Sequence, residues 1–350
     1  MDLGYYNARI RGLRGRLLKE ADYDAMLKAV DLERYLERLK STAYGPFIET
    51  AGARFVKPSE VISGALRANL AETFDFLWKI APNEAKPLLK AIFSIWEVYD
   101  IKTLIRGVAR GVKKDDILEA LIPAGDLDQA ALNILLGAKD IQDLIQILHT
   151  LGSPYSKPLK AGLPQYARTG NIVEMELNLD INSFKFLRSR IEENYLNDRI
   201  IREFIILRID IENILTVFKI AGENYSKEGA QSFFIEGGVR LRRSEFLTFS
   251  ELKNRDEVLK ALKEKILDVD IKEILLSSDP EDIALIEERL ESSVENRLAR
   301  QSLVEPLSIA LAASFIFIKI REIKNLRLIA RGKAFGIPDD ELRRLIIYPI

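Results

Sequence analysis

Three short stretches of this chain repeat one pattern: DIKTL at residues 100–104, DIENI at residues 210–214 and EIKNL at residues 322–326. Each begins with an acid, followed at once by isoleucine and four residues later by leucine or isoleucine. The acids Asp100, Asp210 and Glu322 are separated by 110 and 112 residues (210 − 100 and 322 − 210). Such even spacing across 350 residues predicts one structural unit used three times.

Each copy lies near the end of an apolar segment with helical periodicity, which predicts a long helix with a broad apolar stripe. A basic residue and then a glycine follow each copy, as expected where a helix ends with a left-handed cap. These residues are Arg110 and Gly111, Lys219 and Gly222, and Arg331 and Gly332. Pro87 and Pro306 suit helix starts, so the third helix is predicted from Pro306 to Arg331. The repeated acid is interpreted either as a solvated helix charge or as a recurring local contact.

The composition is that of a soluble globular protein, with 47% apolar and 30% charged residues. Lys and Arg total 52 against 53 Asp and Glu, so a broad nucleic-acid footprint is not expected. The absence of cysteine excludes disulfides, zinc–thiolate sites and cysteine nucleophiles. No secretory leader is expected, because basic residues begin at Arg9 without an apolar run after them. The most apolar run, residues 307–318, is shorter than the roughly 20 residues of a membrane-spanning helix, so we expect it in the core.

The rest of the chain repeats with a similar period. Helices are predicted to start near Asp31, Asp140 and Asn254, and the first two lead into loops rich in glycine and proline. These loops contain Gly45, Pro46, Gly52 and Pro58 in the first case, and Gly152, Pro154, Pro158, Gly162 and Pro164 in the second. Further helices are predicted near Ser59–Ile80, Asp115-Asp116, Asp279-Pro280-Glu281 and Pro338-Asp339-Asp340.

Strand signals are few, and residues 233–235 are too short to decide. The sequence therefore predicts an all-α protein of three related helical subdomains, with repeat 1 at 1–116, repeat 2 at 117–232 and repeat 3 at 233–350. Each apolar helix needs a partner to cover it, so the repeats are expected to pack together. Repetition alone leaves open a solenoid and a closed arrangement around a pseudo-threefold axis.

No set of residues predicts catalysis. His149 is the single histidine, and a cap or surface role is the simpler interpretation of it. Gly332-Lys333 lacks the first glycine and the hydroxyl residue of a phosphate loop, since Arg327 and Ala334 occupy those positions. Adjacent acids on a helix diverge by about 100°, so the pairs cannot share a proton or metal. They are Asp115-Asp116, Glu192-Glu193, Glu287-Glu288 and Asp339-Asp340.

Asp268, Asp270 and Glu273 lack the glycine and spacing of a calcium loop, so a solvated turn is predicted there. We therefore predict no catalytic, cofactor-binding or metal-binding residues and no cofactor. The basic residues Arg9, Arg11, Arg14 and Arg16 are interpreted as a solvated helix face or as a docking face for an acidic partner.

Taken together, three features resemble one protein family. They are the opening YYNARIR at residues 5–11, the threefold acid–Ile–x–Asn–Leu pattern, and the ending IPDDEL at residues 337–342. Over its whole length the chain resembles the central-stalk socket protein of archaeal-type and vacuolar-type rotary ATPases, which is the C subunit of the former and the d subunit of the latter. Copy 1 departs from the pattern with Thr103 in place of Asn213 and Asn325.

The resemblance implies a funnel of three helical subdomains around a pseudo-threefold axis, peripheral to the membrane on its cytoplasmic face. It implies one copy in a hetero-oligomeric complex, with the central shaft subunits and the membrane proteolipid ring as partners and no nucleic acid. Such a protein transmits torque for ATP synthesis and hydrogen-ion or other ion transport, and is not an enzyme.

Two alternatives stay open beside this rotor component. One is a helical-repeat scaffold that binds protein partners outside a rotary ATPase, for which we expect an elongated shape. The other is an enzyme that uses acids from different repeats in a cleft, for which we expect three or more converging, partly buried carboxylates.

Overall fold

A computed structural model describes residues 2–189, 191, 195–222 and 225–348 of the chain. It confirms the all-α prediction: the described residues form helices and no β-strand, and a lone bridge between Ala124 and Leu127 closes a turn. The helices, in chain order, are α1 (Gly4–Arg14), α2 (Glu20–Leu27), α3 (Leu32–Lys40), α4 (Gly45–Gly52), α5 (Pro58–Ile80), α6 (Lys86–Ala109), α7 (Lys114–Ala120), α8 (Gln129–Leu135), α9 (Ile141–Thr150), α10 (Ser156–Thr169), α11 (Val173–Arg188), α12 (Leu196–Ile220), α13 (Lys227–Ser232), α14 (Arg243–Ser250), α15 (Arg255–Lys265), α16 (Val269–Leu276), α17 (Ile283–Val304), α18 (Ala310–Phe335) and α19 (Asp339–Leu345).

The helices form two compact units. Unit 1 contains residues 1–147 and 305–350, and unit 2 contains residues 148–304, so the division falls inside α9. The first and third copies of the repeated stretch, in α6 and α18, therefore belong to unit 1. The second copy, in α12, belongs to unit 2.

In unit 1, α18 is the central helix. Every residue from Ile309 to Ile323 is buried, and α18 contacts α1, α2, α3, α5 and α19. Phe317 of α18 lies 5.6 Å from Trp96 of α6, measured between ring centroids. Burying one such aromatic or branched aliphatic side chain stabilises the fold by about 1.5–3 kcal/mol, so α18 contributes a large share of the core. None of the described helices is long and apolar enough to cross a membrane.

In unit 2, α12 holds the corresponding place and packs against α11, α14, α15 and α17. Helices α10 and α11 form a close pair, and Gly162 explains how closely they approach. A Cβ at Gly162 would lie 2.7 Å from Met175 Cγ, so only glycine fits at this crossing.

The predicted helix starts at Asp31, Asp140 and Asn254 are confirmed. The side chain of each accepts the N–H of the residue three positions on, at 2.7, 2.8 and 2.9 Å. Capping bonds of this kind stabilise a helix by about 1 kcal/mol each, since they satisfy an N–H that has no partner inside the helix. Helices begin at Pro58, Lys114 and Asp339, as predicted to within one residue, while α17 begins at Ile283, after Asp282 rather than at Asp279-Pro280-Glu281.

The predicted glycine- and proline-rich loops are wrong, because much of each is helical. Pro46 lies in the first turn of α4 and Pro158 in the first turn of α10, where a helix has no use for the missing N–H. Pro164 lies further inside α10.

The third repeated helix is also displaced from its prediction. It begins at Ala310 instead of Pro306, and it continues past Gly332 to Phe335, where Gly336 (φ 68°) forms the left-handed cap. The predicted caps Gly111 (φ 64°) and Gly222 (φ 77°) do have left-handed backbones.

Candidate functional site

Unit 2 contains the fullest version of the repeated contact. Asp210 of α12 is 0% exposed, and its carboxylate accepts the N–H groups of residues 239–241 at 3.2, 2.9 and 3.4 Å. Nη1 of Arg240 also donates to it, at 3.0 Å. One turn further on, the side chain of Asn213 accepts the N–H of Ile235 and donates to its carbonyl, both at 2.9 Å. The two side chains of α12 thus hold the segment before α14 by its backbone, and we call this arrangement clasp 2.

Unit 1 contains the same arrangement around α6, which we call clasp 1. Glu97 accepts the N–H of Asp126 at 2.6 Å, across 29 residues, the same separation as between Asp210 and Val239. Asp100 accepts the N–H of Ile122 at 2.9 Å, across 22 residues, the same separation as between Asn213 and Ile235.

The sequence alignment of copy 1 is therefore wrong by one helical turn. Glu97, not Asp100, corresponds to Asp210 and Glu322, and the three acids are separated by 113 and 112 residues (210 − 97 and 322 − 210). Asp100 corresponds to Asn213 and Asn325, so Thr103 does not replace the asparagine. The basic residues also shift: Arg106 follows Glu97 by nine residues, as Lys219 follows Asp210 and Arg331 follows Glu322.

The third version, clasp 3, joins α18 to both ends of the chain. Asn325 donates to the carbonyl of Ile347 at 2.9 Å, again across 22 residues. Glu322 accepts the N–H of Leu18 at 2.6 Å and the hydroxyl of Tyr44 at 2.6 Å. Lys319 donates to the same carboxylate at 2.7 Å. Burial, with Glu322 close by, raises the pKa of Tyr44 well above its usual value, so the phenol stays a donor.

Glycine makes the close approach possible in clasps 1 and 2. Gly125 and Gly238 each directly precede a residue whose N–H donates to the acid. A Cβ at Gly125 would lie 2.0 Å from Glu97 Oε1, and one at Gly238 would lie 2.2 Å from Asp210 Oδ1. The backbone thus passes the carboxylate at a distance that any side chain would block.

A chain of ion pairs extends from clasp 2 to the surface of unit 2. Arg240 binds Asp268 (2.6 Å), Arg297 binds Asp268 (2.8 Å) and Asp270 (2.9 Å), and Arg300 binds Asp270 (2.5 Å). Burial alone would raise the pKa of Asp268, but hydrogen bonds from Arg240 and Arg297 outweigh it and hold the pKa below its usual value. The prediction of a solvated turn at Asp268 and Asp270 is therefore wrong. These acids bind the arginines of loop 239–241 and helix α17.

The basic N-terminal residues divide between two environments in unit 1. Arg11 donates to the carbonyl of Pro306 at 2.8 Å, and Arg14 is half-buried in the last turn of α1. Arg9 lies over the ring of Phe76, with 5.3 Å from its guanidinium carbon to the ring centroid. Arg9 and Arg16 also line a cavity of about 670 Å³ between α1, α4, α5 and α18.

The predicted acid pairs do not converge. Asp115-Asp116 and Asp339-Asp340 lie in the first turns of α7 and α19, where acid suits the helix dipole, and Glu287-Glu288 lies within α17. Glu192-Glu193 lies outside the described residues. His149 is exposed in the last turn of α9, as expected for a surface residue. Within the described part of the chain, no three residues of metal-ligating type form a group that could hold a metal ion.

Comparison with known proteins covers nearly the whole chain. Residues 6–345 match the family model of the ATP synthase (C/AC39) subunit. The C subunit of the A-type ATP synthase of Haloquadratum walsbyi is 28% identical over 344 residues, covering 97% of this chain and 96% of that protein. The proteins of the same name from Methanocaldococcus jannaschii and Archaeoglobus fulgidus are 27% and 26% identical, each over 98% of this chain and over 86% and 95% of their own lengths. These matches confirm the resemblance found in the sequence.

Proposed function

Because the chain belongs to the family of ATP synthase (C/AC39) subunits, we propose that it is a non-catalytic component of the central stalk of a rotary ATP synthase or ATPase. In this proposal it joins the rotating shaft to the proteolipid ring of the membrane and transmits torque between them. It sits at the cytoplasmic face of the membrane, where it is held by the ring. The three repeats, 1–116, 117–232 and 233–350, surround a pseudo-threefold axis as a funnel.

The observation that carries the proposal is the set of three clasps. A protein that transmits torque must resist deformation between its contacts, so its long helices have to be fixed to the chain around them. Side chains of α6 and α12 hold residues 122–126 and 235–241, the segments that open the following repeats, by their backbone. Buried bonds of this kind cost about 1–3 kcal/mol to leave unmade, so each joint resists opening.

The non-catalytic part of the proposal rests on what the buried carboxylates bind. Asp210 and Glu322 accept bonds from backbone N–H groups and from the chain's own cations. A catalytic acid needs to reach a substrate from a cleft, whereas these two are at most 1% exposed.

The cavity beside α1 is the surface we propose for docking an acidic segment of a partner protein of the complex. Arg9 and Arg16 supply positive charge there in excess of the acid Glu72, while Lys79 and Asp75 of the same lining pair with each other. Phe47, Phe76 and Phe315 supply apolar surface. Charged residues at the edge of an interface chiefly determine the association rate and which partner is bound.

The test is co-purification from the cells that make the protein. A tagged chain, extracted from membranes in mild detergent, is expected to bring down the proteolipid and the shaft subunits. Capture of neither would overturn the proposal. Reversing both cavity arginines, R9E with R16E, is expected to weaken capture of one of these partners at least tenfold. The matched control K260E reverses an exposed charge of α15 and is expected to leave capture unchanged.

A further inference from the structure

Asp100 differs from its counterparts in one respect that the clasps make visible. Asn213 and Asn325 both donate a side-chain N–H to a backbone carbonyl 22 residues further on, Ile235 and Ile347 respectively. An ionised aspartate has no hydrogen to donate. Asp100 nevertheless occupies the same position and accepts the N–H of Ile122.

The surroundings of Asp100 disfavour a charge. The residue is 0% exposed, and its Oδ2 is buried without a hydrogen-bond partner among the described residues. A buried carboxylate oxygen without a partner destabilises the fold, because it loses its hydrogen bonds to water and gains none from the protein.

We infer that Asp100 is a neutral carboxylic acid in the folded protein and that its Oδ2–H donates to the carbonyl of Ile122, as the amide of Asn213 does to Ile235. Loss of that proton leaves two oxygens with lone pairs facing each other. Clasp 1 is thereby a catch that ionisation releases, whereas clasps 2 and 3 have an amide at this position and keep their bond at any pH.

The charged groups around Asp100 agree with this assignment. Burial raises the pKa of Asp100 well above its usual value, and Glu97 on the same helix raises it further. The bond from Ile122 and the charge of Arg327 on α18 oppose the increase without cancelling it. The pKa of Arg327 is lowered to about 10, chiefly by burial and also by Arg67, against the opposing effects of Tyr99, Asp100 and Glu119.

Arg327 is the cation that an ionised Asp100 would bind. Its Nη2 donates to the carbonyl of Leu121 at 3.1 Å, next to the residue that Asp100 holds. Its Nε has no hydrogen-bond partner among the described residues. An ionised Asp100 would attract Arg327, so the carbonyls of Leu121 and Ile122 would both lose their donors. The segment after α7 is therefore the part that the catch frees.

The decisive comparison is wild type against D100N, which supplies the amide that clasps 2 and 3 already have. Urea unfolding is followed by tryptophan fluorescence from pH 4 to pH 9. The only two tryptophans, Trp78 and Trp96, both belong to unit 1, so this signal reports the unit that contains clasp 1.

The expected result follows from proton linkage. An unfolded aspartate ionises at a pKa of about 3.9. Above that pH the unfolded chain loses a proton that folded Asp100 keeps, so wild type loses stability as pH rises. Relative to D100N, its unfolding constant is expected to rise about tenfold per pH unit until folded Asp100 ionises. A difference between the two proteins that does not change with pH would overturn the inference.

Two further measurements separate titration from a merely structural role. The infrared difference between wild type and D100N at pH 7 is expected to contain the C=O band of a protonated carboxyl, and a carboxylate band instead would contradict the inference. The reciprocal variant N213D moves the acid into clasp 2, so hydrogen exchange in unit 2 is expected to gain the same alkaline sensitivity. If N213D does not fold, the infrared and D100N results decide alone.

Discussion

Clasps 1 and 2 share two backbone contacts and make them with different side chains. Each holds one N–H across 22 residues and another across 29. In clasp 2 the first of these is a reciprocal pair with the amide of Asn213, and the acid also binds Arg240. In clasp 1 an aspartate replaces the amide, and a longer glutamate replaces Asp210. Two of the backbone groups that are held are thus the same in both repeats, while the residues that hold them change.

The largest expected effect is that of removing the acid of clasp 2. Asp210→Ala leaves three buried or partly buried N–H groups without their acceptor, each at a cost of about 1–3 kcal/mol, so we expect a loss of at least about 3 kcal/mol. Arg240 loses one of its two carboxylate partners and keeps Asp268. Glu97→Ala in clasp 1 removes the acceptor of one identified N–H, so we expect a smaller loss of about 1–3 kcal/mol.

Amide hydrogen exchange measures this difference. The amides of residues 239–241 are expected to exchange faster in D210A, and the amide of Asp126 in E97A, because each loses its acceptor. The exposed acid Asp256 in the first turn of α15 is the control, and D256A is expected to change the unfolding free energy by at most about 1 kcal/mol, through the helix dipole. Equal losses from D210A and E97A would show that the cation and the two further N–H groups of clasp 2 add nothing to stability.

The second prediction concerns the two glycines beside the acids. A Cβ added at Gly238 meets a short carboxylate that four donors hold in place, so Gly238→Ala is expected to cost about 1–3 kcal/mol. In the D210A background this cost should disappear, because the atom it collides with is gone.

Gly125→Ala should behave differently in the same test. Gly125 has a left-handed backbone (φ 59°), which costs an alanine about 1–2 kcal/mol whatever surrounds it. That part of the loss is expected to persist in the E97A background. Complete rescue of G125A by E97A would contradict it, and thermal unfolding of the four single and two double variants measures both cycles.

Local sequence rules predict part of this fold. The long helices and the caps at Asp31, Asp140 and Asn254 follow from local rules, and the structure contains them. The same rules miss helices α4 and α10, because proline and glycine usually interrupt helices. Here proline falls in a first turn of each, and Gly162 lies where another helix crosses.

The clasps are only partly predictable. The sequence contains the signal for Glu97, since Arg106 follows it by nine residues as Lys219 follows Asp210. The Asp-Ile pair at residues 100–101 resembles the pair at residues 210–211, and aligning the two pairs hides that signal. The residue that corresponds to Asp210 by its backbone contact is Glu97, one helical turn earlier. Clasp 3 depends on Leu18, which is 304 residues from Glu322, and no local pattern points to such a contact.

The smallest expected effect tests the ends of the repeated helices. Ten residues after each acid stand Gly107, Ile220 and Gly332, and ten residues further on stand Ile117, Ala230 and Leu342. In the first and third copies the earlier position is glycine and the later one has a large side chain. In the second copy the earlier position has the large side chain and the later one is alanine. A Cβ at Gly107 would lie 2.4 Å from Ile117 Cδ1, and one at Gly332 would lie 2.3 Å from Leu342 Cδ2.

Gly107→Ala therefore sets two effects of similar size against each other. Alanine favours the interior of a helix over glycine by about 1 kcal/mol, whereas overpacking against Ile117 costs about 1–3 kcal/mol. We expect a net loss of about 1 kcal/mol, measured by urea unfolding with tryptophan fluorescence. Gly12 of α1 is the control, because no neighbouring atom lies within 4 Å of an added Cβ and G12A should therefore gain stability. If G107A gained as much as G12A, Ile117 would be free to move aside, and the contact between α6 and α7 would be looser than its geometry indicates.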